Sequence, residues 1–142
     1  MNSPPRSPNW WAIQVNPLKE AEMAKILIID DDVETIKLLE SIVQLEGHQT
    51  DSVSESKRAF QVVETFLPNL VMLDIMMPEI NGIAICKLIK SNPKTKHIKV
   101  MMISALSDDG PKRDTLHAGA DKFITKPILP RILLQHINDL LA

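Results

Sequence analysis

Apolar residues along this chain alternate between short unbroken runs and sets spaced for one face of a helix. Lys25–Ile29 (KILII) is a nearly continuous apolar run of strand length, as expected of a strand covered on both faces. Glu34–Glu46 places Ile36, Leu39, Val43 and Leu45 at helical spacing, and Gly47 supplies the stop. His48–Val53 reads as a short, more polar strand near a sheet edge. Glu55–Phe66 puts Ala59, Val62, Val63 and Phe66 on one helical face, and Pro68 ends it. Leu70–Leu73 is a third strand, followed by a helix over Gly82–Lys90 with Ile85, Leu88 and Ile89 inward. Val100–Ile103 is a fourth strand, and Asp108–Ala118 a helix that tolerates Pro111 in its first turn. Lys122–Thr125 and Leu129–Leu141 complete the series as a fifth strand and a final amphipathic helix. Five βα units in a row predict an α/β fold with a parallel sheet, right-handed crossovers and helices on both faces.

That arrangement corresponds to a doubly wound, flavodoxin-like (βα)5 sheet over residues 23–142. Residues 1–22 differ in character: Pro4, Pro5, Pro8 and Pro17 suit neither helices nor central strands, so they read as a leader or extension. Trp10 and Trp11 are the chain's only tryptophans, an apolar pair that reads equally as a docking element for the domain or a partner and as part of a floppy tail. At 142 residues, with 44% hydrophobic and 24% charged, the chain suits one globular domain with a full core. Its formal charge of −2 leaves no electrostatic footprint for nucleic acid or an anionic membrane, so binding to either is not expected. Cys86 is the single cysteine, which excludes an internal disulfide and a multi-cysteine zinc site. Ile83, Ile85 and Ile89 around it mark it as a small core residue. No apolar run reaches transmembrane length, and the N-terminus lacks the apolar core of a signal peptide, so a cytoplasmic protein is expected.

In a doubly wound sheet the functional site lies outside the carboxyl ends of the strands, where the chain order switches direction. The first strand ends in Asp30-Asp31-Asp32, the third in Asp74, the fourth in Ser104 and the fifth in Lys126-Pro127. Three carboxylates (Asp30, Asp31, Asp74) converging on one edge repel one another unless a cation joins them. Their hard oxygens, with no His or Cys alongside, suit Mg²⁺ or Mn²⁺. Lys126 adds a fixed positive charge and Ser104 a hydroxyl donor. The set suits in-line phosphoryl transfer with Asp74 as nucleophile. Taken singly, each residue has an ordinary structural reading. An Asp after a strand caps the next helix, as expected of Asp32; a Lys-Pro makes a turn; Asp74 with Pro78 and Gly82 makes a loop. Four such residues at four strand ends, in order, are harder to dismiss.

The segments Ile28-Ile29-Asp30-Asp31-Asp32, Leu73-Asp74-Ile75-Met76-Met77-Pro78 with Asn81-Gly82, Ile103-Ser104-Ala105 and Thr125-Lys126-Pro127 resemble the receiver domains of bacterial response regulators. The resemblance runs from Lys25 to about Leu141. It implies a phosphoacceptor signalling module, in which a histidine kinase or phosphotransfer protein phosphorylates Asp74. It further implies that Asp31, Asp74 and the backbone carbonyl of Met76 bind Mg²⁺ directly and Asp30 through water. Ser104 would hydrogen-bond the phosphoryl group and shift on its arrival, Lys126 would pair with it, and the Lys126-Pro127 bond would be cis. Phe123 occupies the switch position that often holds Tyr, so it can swing but has no hydroxyl to fix either state. Such a protein catalyses its own phosphoryl transfer rather than turning over a substrate. Without an output domain it would act through an unidentified protein target, by a surface of the fourth helix, fifth strand and last helix. The resemblance also predicts slow autodephosphorylation, because Met76 and Leu106, beside the path of the attacking water, are apolar. A degenerate, phosphorylation-independent scaffold would be favoured by loss of Asp30, Asp31, Asp74 or Lys126, and all are present. A metal-dependent phosphatase wants a second carboxylate where Met76 stands. An FMN site wants a Ser/Thr/Gly-rich loop where the three aspartates stand.

Overall fold

The computed structural model describes residues 23–105 and 109–142, without the side chains of 109–111. Strands and helices alternate in the order β1 Lys25–Ile29, α1 Val33–Gln44, β2 Gln49–Val53, α2 Ser56–Phe66 and β3 Leu70–Asp74. There follow α3 Gly82–Ser91, β4 Lys99–Ser104, α4 Asp109–His117, β5 Lys122–Thr125 and α5 Pro130–Leu141. All strand pairs are parallel, in the order β2-β1-β3-β4-β5. The chain moves from β1 to one edge, then crosses back to β3, so the switch point lies between β1 and β3. The polar β2, with only Val53 buried, takes an edge as its sequence predicts.

Because successive strand residues point to opposite faces, the apolar runs divide into two cores. Leu27, Ile29, Val71, Leu73, Val100 and Met102 pack against Ala59 and Val63 of α2 and Ile85, Cys86 and Ile89 of α3. Ile26, Ile28, Leu70, Met72, Met101 and Ile103 pack against Ile36 and Leu39 of α1 and Leu133 and Ile137 of α5. Cys86 is fully buried, and burial pushes its thiol up to about 11, which makes it an inert core group.

Two expected core positions face solvent. Leu45, 81% exposed, sits at the C-cap of α1, and Ile42 fills the stripe in its place. Leu88, 47% exposed, falls on the rim of α3, whose buried stripe is Ile85, Cys86 and Ile89. Val62 and Phe66 of α2 are half-buried against the first core. At the amino edge of the sheet, Lys90 Nζ reaches Asp121 Oδ2 at 2.9 Å and the Ile98 carbonyl at 2.7 Å, tying α3 to β4 and β5.

Candidate functional site

The sheet register brings the strand ends level. Ile29 pairs with Leu73, Asp74 with Ile103, and Ser104 with Thr125. The next residue after β1 is therefore Asp30, β3 and β4 end in Asp74 and Ser104, and Lys126 follows β5. Because β1 and β3 are covered on both faces, Asp30 and Asp74 are held nearly dry, 2% and 6% exposed, while Asp31 reaches solvent. Carboxylate oxygens of all three lie within 4.8 Å of one another. Lys126 Nζ stands 3.6 Å from Asp30 Oδ2 and 3.9 Å from Asp74 Oδ1. Its backbone amide donates to the Ser104 carbonyl at 2.8 Å, extending the β4–β5 pairing past the strand, and the Lys126-Pro127 bond is cis. Ser104 is fully buried at the end of β4.

One ammonium stands among three carboxylates, and burial together with this excess of negative charge raises Asp74 and Asp30. Burial pushes Asp74 up to about 6; the charge of Asp30 adds to the rise and Lys126 offsets part of it. Asp30 is also raised, chiefly by burial, against the opposing pull of the Asp32 amide, which donates to its Oδ1 at 2.8 Å, and of Lys126. Asp32 goes the other way. The Thr35 hydroxyl and the Glu34 amide donate to it at 2.9 and 3.0 Å, which lowers it and makes it the N-cap of α1. The pocket thus gathers carboxylate oxygens with no nitrogen or sulfur ligand and leaves their charge partly unbalanced. That donor set fits a hard divalent cation such as Mg²⁺ or Mn²⁺.

The loop after Asp74 is folded tightly over itself. Gly82 N–H donates to the Ile75 carbonyl at 2.9 Å, and a Cβ at position 82 would overlap the Asp74 carbonyl oxygen, so only glycine fits there. Asn81 caps α3 by accepting from the Ala84 amide at 3.1 Å. The Met76 side chain is 61% exposed. Ser56, in the first turn of α2, reaches across to the same loop, donating to the Pro78 carbonyl at 2.7 Å and accepting from the Ile80 amide at 3.2 Å. Nothing in the sequence marks Ser56 for this contact, because a serine at a helix start looks like any capping residue.

Phe123 of β5 is half-buried against the first core and borders a groove of about 550 Å³ between α4, β5 and α5, with Lys112, Ile132 and His136 on its walls. Leu106 lies outside the described residues, as do Trp10 and Trp11 with the rest of residues 1–22. No helix among the described residues is long and apolar enough to cross a membrane.

Residues 26–138 match the family model of the response regulator receiver domain. The response regulator PleD of Caulobacter vibrioides is 33% identical over 117 residues, covering 82% of this chain and 26% of that protein. A homolog of the transcriptional regulatory protein CpxR from Haemophilus influenzae is 35% identical over 119 residues, covering 84% of this chain and 51% of that protein. The chain thus spans between about a quarter and a half of the length of these relatives. Among solved structures, the signal receiver domain of a signal transduction histidine kinase from Syntrophus aciditrophicus is similar, with a TM-score of 0.77 and 34% identity. That match covers 83% of this chain and 89% of the other. With the matched segment spanning all five βα units and the acidic switch-point pocket, the chain belongs to the response regulator receiver domains of two-component signalling.

Proposed function

We propose that Asp74 accepts a phosphoryl group from a phosphohistidine of a sensor kinase or phosphotransfer protein, and that this switches a partner-binding surface on α4, β5 and α5. The observation that carries the reading is the meeting of Asp30, Asp31 and Asp74 within 4.8 Å, with the Lys126 ammonium beside two of them. Asp31, Asp74 and the Met76 backbone carbonyl would hold Mg²⁺ or Mn²⁺ directly, and Asp30 through water. The bound ion supplies positive charge that balances the carboxylates and the incoming phosphoryl oxygens. An Asp74 carboxylate oxygen attacks phosphorus in line, the bond to the donor's imidazole nitrogen breaks, and that nitrogen leaves. The Lys126 ammonium pairs with a phosphoryl oxygen, and the Ser104 hydroxyl donates to another.

Ser104 is joined to β5 by the bond from Lys126 N–H to its carbonyl, so a shift of Ser104 bears on the strand that carries Phe123. Phe123 borders the α4–β5–α5 groove and, lacking a phenolic hydroxyl, responds by packing alone. In this reading the receiver spans residues 23–142 with 1–22 as a leader, works in the cytoplasm, and hands its state to a protein rather than to nucleic acid. It turns over no external substrate beyond its own phosphorylation and slow dephosphorylation. The scaffold alternative draws no support from a site in which every acceptor and metal-binding position is filled by the required residue type. Incubation with acetyl phosphate and Mg²⁺, followed by intact-mass measurement, tests the proposal. The parent should gain one phosphoryl mass and Asp74→Asn none. Full labelling of the Asn variant at the parent rate would overturn the assignment.

A further inference from the structure

The loop from Ile75 to Asn81 carries the Met76 carbonyl, and a side chain from a different helix sets its shape. Ser56 is 5% exposed, and its hydroxyl spends both its donor and an acceptor position on Pro78 and Ile80, the two residues flanking Glu79. A serine that caps a helix ordinarily does so from the position just before the first turn. Here the N-cap of α2 is Glu55, with no side-chain cap bond, and the Ser56 hydroxyl serves the distant loop. Between the two anchored residues, Glu79 has a φ of 72°, a left-handed backbone that residues with a Cβ seldom adopt. The neighbour of Ser56 adds a second tie, Lys57 Nζ lying 3.0 Å from the Glu79 carboxylate. At its far end the loop is closed by the bond from Gly82 to Ile75.

We propose that Ser56 is a positioning residue for metal binding. It pins the Pro78–Ile80 turn and thereby holds the Met76 carbonyl where Asp31 and Asp74 can share a cation with it. This rests on the phosphoacceptor reading of the site. Outer partners that orient a ligand tune metal affinity without touching the metal. Ser56 acts here on a backbone ligand, through two residues of chain.

The test is Mn²⁺ titration of the full chain, followed by the electron paramagnetic resonance signal of free Mn²⁺. Ser56→Ala should raise the Mn²⁺ dissociation constant by roughly tenfold, at the low end of what such outer partners control. Ser56→Thr, which keeps the hydroxyl, should restore most of the affinity. Val63→Ala removes buried methyl groups from the same helix without touching the loop, and should lower the melting temperature but leave Mn²⁺ affinity at the parent value. At saturating Mg²⁺, acetyl phosphate should label Ser56→Ala at the parent rate, since excess metal overcomes a defect confined to affinity. Ser56→Gly, which also lacks the hydroxyl, covers the case in which Ser56→Ala does not fold, and should weaken Mn²⁺ binding to a similar degree. Parent-like affinity in Ser56→Ala, or in Ser56→Gly if only that variant folds, would overturn the positioning role, as would an equal loss in Val63→Ala. A parent chain that neither binds Mn²⁺ nor takes up a phosphoryl group would instead overturn the phosphoacceptor reading and the positioning role with it.

Discussion

Replacing Asp74 with Asn should stabilise the metal-free protein at neutral pH, although it removes the proposed acceptor. Asp74 is 6% exposed, and burial with the charge of Asp30 pushes it from 3.8 up to about 6. A rise of about 2 pH units corresponds to about 3 kcal/mol between its two protonation states. The folded chain binds the proton more tightly than the unfolded chain. The associated stability is therefore complete below about pH 4 and is lost as pH rises through about 6. At pH 7.5, folding must place an ionised carboxylate in a dry pocket that already holds Asp30. Asn has nearly the same shape and no charge. Its losses are the attraction to Lys126 at 3.9 Å, which solvent screens because that side chain is 28% exposed, and part of the strength of the hydrogen bond from the Met76 amide. The net gain is about 2 kcal/mol, or roughly 5–10 °C in Tm for a domain of this size. Circular dichroism melts in EDTA from pH 4.5 to 8 would show it. The parent should lose stability across that range, the Asn variant should lose less because only Asp30 still titrates upward, and the curves should converge toward pH 4. Excess Mg²⁺ should stabilise the parent more than the variant and narrow or reverse the gap. An Asn variant that melts below the parent at pH 7.5 in EDTA, or shows the parent's full pH slope, would refute the reasoning.

Millimolar Mg²⁺ should raise the parent Tm and Asp31→Ala should lose most of that rise; an indifferent parent would mean the acidic pocket is misread. Gly82→Ala should destabilise by roughly 1–3 kcal/mol in denaturant melts, since its Cβ must displace the Asp74 carbonyl, and a neutral result would contradict the packing of this loop. On α3, Ile89→Ala should cost about 2–5 kcal/mol while Leu88→Ala costs less than about 1, because the first side chain is fully buried and the second reaches solvent. Placing Asn at Met76 and Glu at Leu106 should speed loss of phosphate after rapid removal of the donor, by giving the attacking water hydrogen-bond partners. Unchanged decay in that double mutant would show that these positions do not set the lifetime.

The acidic pocket was legible in the sequence for a physical reason. A strand buried on both faces reads as an unbroken apolar run, so the first polar residue after it must lie at the carboxyl edge, where a doubly wound sheet builds its site. Lys25–Ile29 before Asp30, and Leu70–Leu73 before Asp74, are such runs, and the register then placed the two carboxylates side by side. Helical spacing carried less. It marks an angle around the helix but not the width of what covers it, so Leu88 and Leu45 fell outside stripes completed by Cys86 and Ile42.

Ser56 was illegible for another reason. Its partners are the carbonyl of Pro78 and the amide of Ile80, and backbone groups of that kind are supplied by almost any residue, so nothing on the loop side signals the contact. The same holds for the bond from Lys90 to the Ile98 carbonyl, which makes an ordinary helix lysine into a tie across the sheet edge. Side chains that would bind the phosphoryl group and the metal leave a trace in residue type. The contacts that would aim the Met76 carbonyl leave almost none, except the left-handed backbone at Glu79, which appears only once the chain is folded. A receiver with every acidic residue in place could therefore lose much of its metal affinity through a change at Ser56, a position that a motif centred on Asp74 does not contain.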